Sequence, residues 1–350
     1  MKKLKLAQIY PFVLIIAMYV VYEYRKNDAA EQKSNWEETH QHRITISGKT
    51  MGTSYAIVYY DSLDRNLKPA VDSLLESFNQ QLSTYIPTSL ISQFNQNNQL
   101  DSLTPNFLTV LQKSKEIYDL SHGAFDPTVM PLVNAWGFGY KKTKDLPDTN
   151  TIDSIKACVG FDKIRFDNTS LYSPKNMELG FGAIAKGYGV DLLGRLLEQR
   201  GITTYLVEIG GEDLAKGIKP DKQKWTLKVL YPEKQAAIDQ KEYCLVELHN
   251  RAMATSGPYW QQKEINGIKY SHTIDPRTGY PVKQDLLSIS VLADDCMTAD
   301  GLATAINVMT LKEVKQFFKD NTQYDGMLLY LENKEIKEFT TPGFEAIKVK

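Results

Sequence analysis

Tyr270-Ser-His-Thr-Ile-Asp-Pro-Arg-Thr-Gly279 gathers a histidine, an aspartate, a proline, an arginine and a turn glycine into ten residues. A histidine beside a proline-fixed turn is held in one orientation, as a general base must be, and His272 is one of only five histidines in the chain. A turn with a hydrogen-bonded histidine reads from the same letters. A second pattern, Thr298-Ala-Asp300-Gly-Leu-Ala-Thr304, sets a carboxylate and a hydroxyl four apart, on one face if the segment is helical. Such hard oxygens suit Mg²⁺, which keeps its remaining positions for water or phosphate. An acid-capped helix start with an ordinary buried threonine is the alternative. A third, Gly180-Phe-Gly182-Ala-Ile-Ala-Lys186-Gly187, brings glycines to the entrance of a helix. There backbone N–H groups approach a phosphate, the amino end favours negative charge, and Lys186 adds a cation. The spacing is that of neither a P-loop nor a dinucleotide fingerprint, and a tight structural turn accounts for it equally.

Further segments carry weaker signals. Gly210-Gly211 ends a strand before Glu212-Asp213, which suits either close backbone approach to a ligand or a sharp turn. Gly123-Ala-Phe-Asp126-Pro runs on to Pro131, Trp136 and Gly139, an irregular aromatic stretch able to border a flat ring or to form a core loop. Ser83-Thr-Tyr85-Ile-Pro87, followed by Ser89 and Asn95, reads as helix punctuation or as an aromatic wall.

The elements that must position these groups follow from periodicity. Ile44, Ile46, Tyr55, Ile57 and Tyr59 alternate as strands. Leu67, Val71, Leu74, Leu75, Phe78 and Leu82 repeat at three and four, and a second helix starts at Pro105 with Leu108, Leu111 and Ile117 facing inward. A third runs from Ile184 through Tyr188, Leu192, Leu193, Leu196 and Leu197 to a stop at Gly201. Strands are predicted at 204–209, 225–231, 286–292 and 326–331, helices at 302–311 and 314–318, and an exposed loop at 140–148. Strands and helices do not alternate strictly, which favours an α+β fold.

Charge and cysteine content narrow the function classes. With 41 basic and 42 acidic residues the chain lacks the basic excess of a nucleic-acid binder. Cys158, Cys244 and Cys296 form no CxxC pair, so they indicate neither a zinc site nor a disulfide framework and read as small buried hydrophobes. At the amino end, Lys2, Lys3 and Lys5 precede the uncharged run Leu6–Tyr22, which as a helix reaches roughly 25 Å, enough for a thin bilayer. No small-residue cleavage site and no lipid-accepting cysteine follow it. The expectation is an uncleaved signal anchor over 1–28 and a polar tether over 29–42. A globular domain over 43–350 then faces the extracytoplasmic side of the membrane.

Taken in order, the segments Met51-Gly-Thr53, Ser83-Thr-Tyr85, Gly123-Ala-Phe-Asp126-Pro, Gly182–Tyr188, Gly210-Gly211, Ala254-Thr-Ser-Gly257, His272–Gly279 and Ala299-Asp300…Thr304 resemble the ApbE family over about residues 43–345. That family comprises FAD:protein FMN transferases of a single α+β domain. The resemblance implies FAD as substrate, Mg²⁺, and transfer of FMN to a threonine hydroxyl of an acceptor protein with release of AMP. By matching position, Asp300 and Thr304 are side-chain Mg²⁺ ligands and Ala183 a backbone one. Met51, Tyr85, Ala124, Phe125, Asp126, Gly180, Lys186 and Ile274 line the FAD site, and His272 takes the acceptor proton. Thr255 and Ser256 are possible hydrogen-bond contributors without an assigned role.

The resemblance also implies acceptors that carry a Ser/Thr-Gly-Ala-Thr-type motif, among them subunits of membrane redox pumps. This chain contains no such motif of its own, so it is expected to modify other proteins rather than carry covalent flavin. It departs from the pattern of lipoprotein members in having no lipid-accepting cysteine, and from some members in having Gly180, with Glu178 two residues earlier, where they carry a flavin-contacting acid. A FAD pyrophosphatase that uses water in place of threonine, and a non-catalytic flavin-binding protein, are the alternative readings.

Overall fold

Alternating Ile and Tyr from Arg43 to Tyr59 produce the hairpin of β1 (His42–Thr50) and β2 (Thr53–Asp61), which buries Ile46, Tyr55, Ile57 and Tyr59. The structure, a computed structural model, describes residues 41–141, 143, 146–233, 235, 238–257, 262–265, 268–282 and 286–349, with Glu23 and Lys26. The anchor and tether expected over 1–42 otherwise lie outside the described residues. Among those described, no helix is long and apolar enough to cross a membrane.

After the hairpin come α1 (Lys68–Leu82), α2 (Leu90–Asn97), the short β3 (Gln99–Leu100) and α3 (Pro105–Leu120). Next are α4 (Met130–Ala135), α5 (Thr149–Lys156), β4 (Arg165–Phe166) and β5 (Leu171–Tyr172). A long helix, α6 (Ala185–Gln199), leads into the hairpin of β6 (Tyr205–Ile209) and β7 (Glu212–Lys216). The ribbon of β8 (Trp225–Leu230) and β9 (Glu242–Leu248), then β10 (Arg251–Ser256), β11 (Gln262–Ile265) and β12 (Ile268–Ser271) follow. The chain ends with β13 (Leu286–Ala293), α7 (Cys296–Val308), α8 (Leu311–Asp320), β14 (Asp325–Glu332), β15 (Glu335–Thr340) and α9 (Pro342–Glu345).

Eight strands form one antiparallel sheet in the order β1-β2-β6-β7-β10-β13-β14-β15. Helices cover one face, where Ile57, Val207, Ala252, Ile289 and Val291 meet α1, α3, α6 and α7. The β8–β9 ribbon covers the other through Trp225, Val229, Val246 and Leu248, packed on Ala215, Met253, Leu292 and Met327. Helices on one side of an antiparallel sheet make this an α+β domain, as its sequence suggests.

Three differences from the sequence reading have physical causes. In α3 the buried stripe is Phe107, Val110, Leu111, Ser114 and Ile117, which keep three-and-four spacing from Phe107 and leave Leu108 at the margin. Helix α7 begins at Cys296 rather than Leu302, since Asp295 caps it by accepting from Thr298 N at 2.7 Å. It is buried nearly all round, so no stripe reveals its first turn. Tyr140 belongs to the interior of its loop: its hydroxyl donates to Glu178 at 2.7 Å.

Candidate active site

Two hairpin turns lie side by side at one end of the sheet. Met51 and Gly52 turn with φ of 49° and 75°, and Gly210 and Gly211 with 62° and 100°, the left-handed pair that a two-residue hairpin requires. Gly210 N donates to Ser54 O at 3.2 Å, which joins the turns. The Met51 side chain leans on α6, where a Cβ added to Gly189 would lie 2.8 Å from its Cε.

Beside these turns α6 and α7 cross in antiparallel sense. Asp191 on α6 accepts from Cys296 N at 2.8 Å and Met297 N at 2.9 Å, and four residues back Gly187 N donates to Asp300 Oδ2 at 2.9 Å. A Cβ at Gly187 would sit 2.2 Å from Cys296 O, so only glycine permits this approach. Thr304 lies one turn on from Asp300 along α7, and Ala183 lies in the turn that leads into α6. Near that turn, a Cβ at Gly301 would lie 3.5 Å from Ile184 Cδ1. The helix α6 has no side-chain cap at its amino end, and the space over Gly182 is open.

The charges at the crossing are buried and coupled. Asp300 is 3% exposed, and burial raises its carboxyl above the usual range while Lys186 and the Gly187 N–H pull it back. Burial opposes the charge on Lys186, yet the Glu212 and Asp300 carboxylates hold its ammonium above the usual lysine value. Lys186 forms an ion pair with Glu212, so the cation expected to serve a phosphate already has a partner on β7. Glu212 Oε2 is buried with no hydrogen-bond partner, and the bond from Gly187 reaches Asp300 through Oδ2.

Among the described residues no group of three or more His, Cys, Asp or Glu is arranged to hold a metal. A cation at Asp300 would draw its other oxygens from hydroxyl, carbonyl and water, a donor set that would fit Mg²⁺ better than a soft metal.

A second wall lies beside Glu178 and Leu179, just before the Gly180–Lys186 run. Tyr85, 73% exposed, meets Tyr140 edge-on with ring centroids 6.5 Å apart. With Thr84, Ser92, Asn95 and Lys141 they line a cleft of about 370 Å³. Asn95 grips Leu179 through both backbone groups, accepting from its N at 2.7 Å and donating to its O at 2.9 Å. Gly180 has no room for a side chain, since a Cβ there would lie 2.6 Å from Met130 Sδ. Glu178, two residues earlier, accepts from Asn134 at 2.9 Å and from the cleft residue Tyr140 at 2.7 Å, and pairs with Lys141.

Other expected residues contribute from behind. Ala124, Phe125 and Asp126 have their side chains in the core, at 1%, 2% and 6% exposure. Asp126 accepts from Thr128 N at 2.8 Å and Thr128 Oγ1 at 2.6 Å, and burial pushes its carboxyl up to about 6. Ile274 is buried with Leu132, Trp136 and Ile152. His272 lies half-buried in the bend after β12, next to Thr273, whose Oγ1 accepts from Asn307 of α7 at 3.0 Å. Thr255 is engaged within the sheet, 2.8 Å from Ser290. All three cysteines are free, and Cys296 is buried at the crossing.

Asp191, Asn307 and the pairing role of Glu212 escape a reading of the sequence. The available signal for Asp191 is a carboxylate in an otherwise apolar helix face, one turn after Gly187.

The model of the ApbE family matches residues 51–328. The chain is 34% identical over 312 residues to the FAD:protein FMN transferase of Vibrio cholerae serotype O1, covering 87% of this chain and 92% of that one. Among solved structures, the flavin transferase ApbE from Vibrio cholerae superposes with a TM-score of 0.79 at 34% identity, over 88% of this chain and 99% of that chain. The apo form of the Pseudomonas stutzeri flavinyl transferase ApbE superposes with a TM-score of 0.80 at 30% identity, over 88% and 97%.

Proposed function

The chain belongs to the ApbE family, and from that premise we propose that it transfers FMN from FAD to a threonine hydroxyl of an acceptor protein, releasing AMP. The observation that supports this reading is the α6–α7 crossing, where Gly187 N at the start of α6 donates to Asp300 of α7, the helix that also carries Thr304. Asp300, the Thr304 hydroxyl and the Ala183 carbonyl would hold Mg²⁺, which when bound neutralises charge developing on the pyrophosphate. The open amino end of α6 and the backbone of the Gly180–Lys186 run suit the phosphates, and the Tyr85–Tyr140 cleft suits the flavin ring.

His272 takes the proton from the acceptor hydroxyl, a poor nucleophile until deprotonated. The threonine oxygen then bonds to the FMN phosphorus, and the phosphorus–oxygen bond to AMP breaks. Lys186, kept cationic by Glu212, stabilises the departing phosphate. We further propose that acceptors carry a Ser/Thr-Gly-Ala-Thr-type motif, as on redox-pump subunits. The apolar run Leu6–Tyr22 would anchor the enzyme in a bacterial inner membrane with its domain on the periplasmic side.

The test is incubation of the full chain with FAD, Mg²⁺ and a threonine-bearing acceptor domain, followed by intact-mass analysis of the acceptor. A gain equal to FMN that disappears on chelation supports transfer. FMN and AMP released without an adduct would assign the pyrophosphatase instead, and unchanged FAD would leave only flavin binding.

A further inference from the structure

His272 and Asp300 stand on different elements, a loop after β12 and the interior of α7, so their separation depends on what fastens the loop. The residues after His272 close into a tight hairpin: Ile274 bridges Pro281, Val282 N donates to Thr273 O at 2.9 Å, and Gly279 N donates to Asp275 O at 2.7 Å. Arg277 extends from this hairpin to three acceptors. Its Nε and Nη2 fork onto Asp275 at 3.0 and 3.1 Å, Nη2 also donates to Val308 O at 3.3 Å, and Nη1 donates to Glu313 Oε1 at 3.1 Å.

Val308 is the last residue of α7, and Glu313 closes the capping box of α8 with Thr310. Arg277 therefore grips the joint between the two helices. A cation suits this place, because the carboxyl end of a helix presents unpaired carbonyls and the negative end of its dipole. Asn307, on the turn of α7 after Thr304, adds the bond to Thr273 beside His272. On the opposite side, Trp136 Nε1 donates to Gly279 O at 2.9 Å and holds the hairpin to α4 and its neighbours.

We propose that Arg277 is a positioning residue: it docks the His272 hairpin on the carboxyl end of α7 and so fixes the base relative to Asp300 and Thr304. The inference rests on the transferase reading given above. Lysine would not replace it, since a point charge cannot span Asp275, Val308 and Glu313 as a planar fork does.

The experiment compares the full-length wild type with Arg277→Ala and Arg277→Lys. It measures FAD affinity and the acceptor-flavinylation kcat at saturating FAD and Mg²⁺, each with and without millimolar guanidinium. Both variants are expected to bind FAD within about twofold of wild type while kcat falls about 10- to 100-fold, the range seen for residues that orient a ligating or reacting group. Guanidinium should restore part of the Arg277→Ala rate. Variants at wild-type rate would overturn the proposal, as would a joint loss of FAD affinity and kcat without guanidinium rescue, which marks mere disruption. A wild type that does not flavinylate the acceptor would instead sink the transferase reading itself.

Discussion

The two halves of this site are built by opposite means. At the α6–α7 crossing, Asp300 and Asp191 are 3% and 5% exposed, and Gly187 leaves no room even for a methyl group. On the loops, Tyr85 is 73% exposed, His272 sits half-buried just before a hairpin, and Arg277 is one-third exposed. Carboxylates in the first half are held where water would solvate them better, so the fold is less stable for keeping them. Groups in the second half stand on loops braced from behind. Substitutions at the crossing should therefore move stability and activity together or in opposition. Those on the loops should move activity or affinity and leave the fold alone.

The largest effect tests the loop half. His272→Ala should lower the transfer rate by about 10²- to 10⁴-fold, the usual contribution of a general base, with unfolding stability unchanged to within about 0.5 kcal/mol. Single-turnover flavinylation and denaturant melts measure both. A substantial loss of stability would erase the contrast between the halves. At the crossing, Asp300→Asn should lower transfer by more than about 100-fold, since outer partners of a metal site alone cost 10- to 100-fold. Its apo-form melting temperature should be equal or higher. Burial raises the Asp300 carboxyl above its usual range, so ionising it costs the fold stability, and a neutral amide removes that cost. Mg²⁺ should then no longer raise the melting temperature, and a variant that still shows that rise would remove Asp300 from the metal site.

What could be read in the sequence follows the same division. Helices α1 and α6 were legible because each shows solvent one face and the core another, which leaves a three-and-four stripe. The pair Asp300 and Thr304 was legible because its spacing is a property of one helix. The first turn of α7 was not, because a helix buried all round has no stripe and its cap, Asp295, resembles a loop residue. Nor was the pairing of Lys186 with Glu212 or of Asp191 with Cys296 and Met297, since each joins elements whose approach depends on the tertiary fold. Ala124 and Phe125 turn their side chains into the core, which an irregular loop does not encode.

Asp191 offers an intermediate effect that sharpens the contrast. Its two oxygens receive the first N–H groups of α7, and an amide can accept with only one of its two ends. Asp191→Asn should raise the Mg²⁺ concentration for half-maximal transfer about tenfold. Burial pushes the Asp191 carboxyl up to about 7 from 3.8, against the pull of the Cys296 and Met297 N–H groups and of Arg195, with Asp295 adding to the rise. A folded-state value above the unfolded one gives stability that is fully present below about pH 3.8 and is lost as pH rises to about 7. Across that window the wild type should lose stability relative to Asp191→Asn. Parallel stability–pH curves for the two proteins would show that Asp191 does not titrate there.

The smallest effect lies at the most exposed residue. Tyr85 contributes little to the core: its ring meets Tyr140 edge-on and otherwise faces the cleft and solvent. An aromatic pair adds about 0.5–1.5 kcal/mol beyond its buried area, so removing one ring from a flavin stack should weaken FAD binding by between a few-fold and about tenfold. Tyr85→Ala should show this weakening in FAD titrations, with unfolding unchanged to within about 0.5 kcal/mol. Tyr85→Phe should bind as wild type, because the Tyr85 hydroxyl makes no hydrogen bond among the described residues whereas the ring supplies the wall. If Tyr85→Ala bound FAD normally and lost stability instead, the ring would be a packing element and the cleft beside Glu178 would not be the flavin wall.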